Sequence, residues 1–208
     1  VLPNLAPHAV VGSGVHVPPG YEPERVRARH GLEGRFLLYA GRREGAKGWE
    51  ALLDAFARAT VLHDLPFSLV TIGSGLVTPP AEIADRVVDL GFVSDEDRND
   101  LFAAADAYLQ PSAQESFSRT IMEAWLAGTL VIGNAASTVV TWHCERSGAG
   151  LTYTDELELE QCLLFLAGAP EAACRLAAGG RSYVLENYAF PAVMDRVEDC
   201  LDRWTSAP

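Results

Sequence analysis

The chain has 208 residues, 49% of them hydrophobic and 21% charged, enough to bury one substantial core and ordinary for a globular domain. A formal net charge of −12 argues against a nucleic-acid-binding or acidic-membrane-binding surface, so any anionic ligand needs a local cluster of cations. No apolar run is long enough to span a membrane and no signal-like segment is visible, so a cytoplasmic location is expected.

Residues 1–35 are rich in proline and glycine, with short strand candidates at Val10-Val11 and Val15-His16-Val17. Arg25 to His30 reads as a short helix stopped by Gly31. Because the chain opens at Val1 without Met, it is read as a piece of a longer protein. Phe36 to Gly41 is a continuous apolar run ending in glycine, the pattern of a strand buried on both faces. A helix is expected from Lys47 to about Thr60, with Trp49, Leu52, Leu53 and Phe56 at helical spacing. Phe67 to Gly73 is a second buried strand, Pro79-Pro80 a helix start and Val87 to Leu90 a third strand. Ser94 with Asp97 three residues later reads as a capping box opening a helix to about Ala105.

The short strand Ala107 to Gln110 ends at Pro111, which cannot donate to a sheet ladder. After a polar turn, Phe117 to Ala127 is predicted helical. Ile121, Met122, Trp125 and Leu126 form its apolar side; Arg119 and Glu123, four apart, share the outer face. Leu130 to Gly133 and Gly150 to Tyr153 complete the strands, and from Asp155 onward the pattern is helical, broken near Pro170 and Pro191. This alternation predicts an α/β fold, a parallel sheet wound on both faces, whose ligands bind beyond the carboxyl ends of the strands. Cys144, Cys162, Cys174 and Cys200 show no metal-ligand spacing, are read as reduced core thiols, and leave no metal site in view.

Two loops at that sheet edge carry chemistry. In Gly41-Arg42-Arg43-Glu44-Gly45-Ala46-Lys47-Gly48, Lys47 falls at a predicted helix start, where a cation opposes the helix dipole unless an anion compensates. In Pro111-Ser-Ala-Gln-Glu115-Ser116-Phe117-Ser118-Arg119-Thr120, the first free N–H groups of the next helix lie between Glu115 and Glu123. A helix N-terminus is an anion site, so this loop offers a phosphate cradle flanked by two hydroxyl-accepting carboxylates. Gly73-Ser74-Gly75 lacks the third glycine of a dinucleotide fingerprint, since Thr78 stands there.

Pro111-Ser112-x-x-Glu115-x-Phe117, with Glu115 and Glu123 separated by seven residues and followed by Ala124 and Gly128, resembles the Glu-x7-Glu signature of retaining glycosyltransferases. The resemblance covers roughly residues 11–190 and is to the C-terminal, donor-binding domain of GT-B enzymes of glycosyltransferase family 4. It implies a Rossmann-like half of a GT-B fold with extra C-terminal helices. It divides the chain into a hinge segment (1–35), a donor-binding domain (36–188) and a terminal helix (189–208) packing toward an N-terminal acceptor domain. It further implies that Arg42 and Lys47 contact the diphosphate of a UDP-, GDP- or ADP-sugar. Glu123 would then accept from the ribose hydroxyls, and Glu115 would hold sugar hydroxyls near the reacting carbon. Gly41, Gly73, Val93 and residues Ser116 to Thr120 complete the implied donor site, with no cofactor or metal required.

This sequence departs from the family at Ser118, where glycine is usual, at Leu130, where proline is common, and over 136–142, which lacks a glycine pair and a glutamate. The implied function is donor binding for sugar transfer, with little or no turnover by this chain alone. A non-catalytic nucleotide-sugar-binding module and a GT-B-type epimerase or phosphorylase are the alternatives. A hydrolase using the two carboxylates fits less well beside a phosphate cradle.

Overall fold

The computed structural model describes residues 9–205, so the first eight residues of the expected hinge segment and the last three of the terminal helix lie outside the described residues. Six strands form one all-parallel sheet: β1 Arg35–Ala40, β2 Phe67–Ile72, β3 Val87–Gly91, β4 Ala107–Gln110, β5 Leu130–Asn134 and β6 Gly150–Tyr153. Their order across the sheet is β3-β2-β1-β4-β5-β6. The direction of winding reverses between β1 and β4, and crevices for ligands form at such switch points.

The near-continuous apolar strands follow from burial on both faces. Along β1, Phe36 and Leu38 join the core on one side while Leu37 and Tyr39 join the core on the other. The first core is closed by α3 (Asp95–Ala104), α4 (Arg119–Leu126) and α7 (Pro170–Asn187), through Leu101, Phe102, Ile121, Trp125 and Val184. The second is closed by α2 (Trp49–His63) and α6 (Glu156–Gly168), through Leu52, Phe56, Leu159 and Leu163. Each such fully buried side chain contributes about 1.5–3 kcal/mol of transfer free energy. The remaining helices are α1 (Pro23–His30), α5 (Thr138–Ser147) and α8 (Phe190–Thr205).

Charge fixes α1 against α3. Arg25 donates to the buried Asp100 at 2.5 and 3.1 Å, and Asp100 also accepts from the Glu22 backbone N–H at 2.8 Å. The segment before α1 is tied to the end of α7: Val15 bridges to Ala189 and donates to the Tyr188 carbonyl, and Arg196 donates to the Val11 carbonyl.

Several elements differ from expectation. Val10-Val11 forms no strand and Val15 only a single bridge. Lys47 belongs to a short 3-10 turn, Gly45–Lys47, and α2 starts two residues later because Gly48, at φ 72°, breaks the path between them. The Pro79-Pro80 start yields a 3-10 segment, Ala81–Arg86. α4 begins at Arg119 rather than Phe117, because Ser118 sits at φ 59° and ψ 67°. The Ser94 hydroxyl does accept from the Asp97 N–H at 3.1 Å, and Pro170 and Pro191 both lie in first turns, where their missing N–H costs nothing. All four cysteines are free and helical, but only Cys144 and Cys200 are buried; Cys174 is exposed, correcting its assignment to the core.

Candidate functional site

The loops that leave β1, β2 and β4 meet at the switch point, and glycine lets them meet closely. A Cβ on Gly73, at φ 120°, would lie 2.2 Å from the Gly41 carbonyl oxygen, and one on Gly48 would lie 2.6 Å from that of Pro111. No L side chain fits either place, so the Gly-x-Gly after β2 serves backbone packing rather than a dinucleotide. Arg43 locks the arrangement from below. Its buried guanidinium donates to Gly75 O, Thr71 Oγ1 and Asp89, while its N–H donates to Ser74 O. Sequence reasoning passed over Arg43, because a buried arginine between loops has no pattern in one dimension.

Lys47 and Glu115 come together across the crevice, with Lys47 Nζ donating to Glu115 Oε1 at 2.7 Å. They line a cavity of about 530 Å³ with Gln114, Ser116, Ser137 and Thr138. The partner expected for Lys47 was a ligand anion at a helix start; in the structure its partner is a carboxylate of the neighbouring loop. Arg42 stands apart, 66% exposed at its side chain and 3.2 Å from Glu44.

A second cavity of about 390 Å³ lies on the other side of α4's first turn, lined by Gly41, Gly73, Phe92, Val93, Arg98, Arg119, Thr120 and Glu123. Glu123 is half-buried one turn into α4, not on an outward face. Among the described residues its ion-pair partner is Arg98 of α3, at 3.5 Å, rather than Arg119 four residues away on its own helix. Burial raises the Glu123 pKa above its usual range, and the charges of Arg98 and Arg119 oppose that rise. Arg98 was missed in the sequence because it reaches the site from the preceding helix; Phe92, beside the expected Val93, is 85% exposed at the cavity rim.

Ser118 separates the two cavities in sequence. It is 4% exposed, its hydroxyl has no partner among the described residues, and it makes no capping bond to α4. The first-turn N–H groups of α4 thus lack a side-chain cap, the condition in which a helix end can receive an anion. Lys47, Glu115 and Ser116 therefore line one cavity and Gly41, Gly73, Val93, Arg119, Thr120 and Glu123 the other, while Arg42 and Ser118 line neither. Among the described residues no group of three or more His, Cys, Asp or Glu could hold a metal ion, and no single helix is long and apolar enough to cross a membrane.

Cation, carboxylate and uncapped helix end grouped at the switch point of a 3-2-1-4-5-6 sheet define a Rossmann-like domain of the GT-B type. The chain belongs to the family described as glycosyl transferases group 1, whose family model matches residues 34–167. It is 29% identical over 161 residues to mannosylfructose-phosphate synthase of Agrobacterium fabrum, a match covering 61% of this chain and 32% of that protein. The structure is similar to sucrose-phosphate synthase from Thermosynechococcus elongatus, with a TM-score of 0.77 at 22% identity over 95% of this chain and 53% of that one. It is also similar to Anabaena Alr3699/HepE solved with UDP and glucose, with a TM-score of 0.72 at 20% identity over 89% and 52%. At these identities the structural likeness bears on the fold alone. The chain spans about a quarter to a half of the length of the curated relatives it matches.

Proposed function

We propose that this chain is the donor-binding domain of a retaining glycosyltransferase, and that it takes a nucleotide-sugar across the two cavities. The observation that carries the reading is the Lys47–Glu115 pair in one cavity with Glu123 in the next, on either side of an uncapped helix start. In this reading Glu123 accepts from the ribose hydroxyls, the diphosphate lies over the first turn of α4, and the sugar sits by Glu115. As the bond from the anomeric carbon to phosphate breaks, negative charge grows on the departing oxygen. Lys47, exchanging part of its contact with Glu115 for that oxygen, stabilises the charge where it develops. Among the described residues the Arg42 side chain pairs only with the exposed Glu44, a contact worth little, so it can be surrendered to a phosphate. The acceptor hydroxyl attacks from the leaving-group side, and its proton passes to the departing phosphate oxygen, so no enzymic nucleophile is needed.

Residues 36–188 form the donor unit in this reading, and 189–208 pack toward an acceptor-binding domain in the rest of a longer protein. This chain alone then binds nucleotide but transfers sugar slowly or not at all. A second reading, a binding module without turnover, draws support from Ser118, whose side chain crowds the turn where glycine is usual.

Calorimetric titration with UDP, GDP and ADP tests the proposal. One nucleotide should bind saturably, and Lys47→Ala and Glu123→Ala should each weaken it at least tenfold, about 1.4 kcal/mol. Failure of all three nucleotides to bind, or indifference to both substitutions, would remove the donor reading.

A further inference from the structure

Arg98 is the cation to which the donor reading gives no role. It stands on α3, ahead of β4, and its side chain reaches the cavity that holds Glu123, on α4 after that strand. Two acids hold its guanidinium. Toward solvent, Nη1 donates to the exposed Asp95, three residues back on the same helix, at 2.8 Å. Toward the cavity, Nη2 donates to Glu123 Oε1 at 3.5 Å, the long limit of a hydrogen bond. Nε, on the same edge of the guanidinium fork as Nη2, is buried and has no partner among the described residues.

The carboxylate at the other end of this contact is under-used as an acceptor. Among the described residues Arg98 alone donates to it, whereas an ionised carboxylate has room for about four donors. It therefore keeps lone pairs for two further hydroxyls. Glu123 is also half-buried, and burial favours its neutral acid, which carries a proton where a hydroxyl should donate. The groups around it pull both ways. Arg98 and Arg119 favour the charged form and Asp95 opposes it. Tyr21, in the segment before α1, and the buried Tyr108 of β4 also feel its charge, and burial raises the pKa of both, so each keeps its proton near pH 7. Arg119 is exposed and screened by solvent, which leaves Arg98 as the stronger support of the ionised carboxylate.

We propose that Arg98 is a positioning residue of the nucleotide site, holding the Glu123 carboxylate in place to accept the two ribose hydroxyls. The inference rests on the donor reading above, in which those hydroxyls belong to the bound nucleotide. Arg98 then acts through Glu123 and not on the phosphates, which lie over the first turn of α4. Its 3.5 Å contact is loose enough for ribose to draw on Glu123 without breaking a tight ion pair.

The test is calorimetric titration of the 208-residue chain with UDP, GDP and ADP, each beside its 2′,3′-dideoxy form, in the parent, Arg98→Met and Arg98→Lys. Methionine keeps the apolar stem and removes the charge at a partly exposed position, so the fold is retained. For a nucleotide that binds the parent, Arg98→Met should weaken the ribose form about tenfold and the dideoxy form less than about twofold. Arg98→Lys, which keeps a cation on that stem, should weaken the ribose form only about threefold. The ratio of the two affinities, in which the titration of the shared diphosphate cancels, should fall as pH drops. In Arg98→Met that fall should begin at higher pH, because losing the cation raises the Glu123 pKa further. Equal losses for the ribose and dideoxy forms would make Arg98 a general attraction for phosphate and overturn the positioning role. Equal binding of both forms by the parent, no loss in Arg98→Met, or an unmoved pH profile would overturn it as well; nucleotide binding that still depends on Lys47 then preserves the donor reading. Absence of nucleotide binding in the parent chain removes the donor reading, and the role of Arg98 with it.

Discussion

Ser118 is the residue at which the local chemistry is least comfortable. It holds a left-handed conformation that L side chains disfavour by about 1–2 kcal/mol, and it buries a hydroxyl with no partner among the described residues. Glycine relieves both, offset by a gain in unfolded-chain entropy of about 0.5–1 kcal/mol. Ser118→Gly is therefore expected to stabilise the chain by about 1 kcal/mol in urea denaturation; a loss of stability would mean that the hydroxyl has a partner in solution. His143 presents the opposite case, a buried ring whose Nδ1 is paired with the Tyr183 hydroxyl and which burial keeps neutral near pH 7. Its folded pKa of about 4 lies below the ordinary 6.5, so between these values the unfolded chain binds more protons than the folded one. Its contribution is fully present above about pH 6.5 and is lost as pH falls toward 4. Denaturation midpoints should therefore drop across that window, and His143→Phe should flatten the part of the slope that this ring supplies. An unchanged slope would show that the imidazole already carries its proton when folded.

At the scale of elements, the strands were legible because burial on both faces writes them as unbroken apolar runs, as in Phe36 to Tyr39. Lys47 and Glu115 could be singled out because each sits in a polar loop directly after an apolar strand. Their direct contact was not legible, since it depends on β1 and β4 being neighbours, a fact of topology. The same limit hid Arg98, whose pairing with Glu123 joins two helices separated by β4. Helix starts were misplaced where one backbone angle decides them, at Gly48 and Ser118. The loops nevertheless depend on such angles. Gly73→Ala must both adopt a disfavoured φ and clear the Gly41 carbonyl, a combined cost of about 3 kcal/mol. Gly91→Ala must also adopt a positive φ, here 59°, but meets nothing within 4 Å, so it should cost only about 1–2 kcal/mol. Thermal unfolding of the two variants checks the difference, and Gly73→Ala alone should also weaken nucleotide binding. Equal losses would show that the loops of β1 and β2 can separate without penalty.

For the molecule as a whole, the outer face of α8 is the feature that the fold leaves unfinished. Phe190, Met194, Leu201 and Trp204 are all exposed, and with half-buried Val197 they repeat at intervals of four and three residues. That spacing draws one apolar stripe along about 20 Å of helix, beside an inner face anchored by Val193 and Cys200. A stripe of this kind is ordinarily a contact surface. In the proposed arrangement it faces the acceptor-binding domain, and without that cover it is free to meet a second copy. Sedimentation velocity should then detect concentration-dependent self-association of this chain. The double substitution Leu201→Glu with Trp204→Glu should abolish it, because two carboxylates on the stripe cannot be buried without partners. Both side chains are already about half exposed, so the melting temperature should hardly change. In a longer protein containing the other domain, the same pair should reduce sugar transfer while leaving nucleotide affinity intact, since α8 lines neither donor cavity. A chain that stays monomeric at high concentration, and a longer protein indifferent to both substitutions, would show that the stripe has no partner.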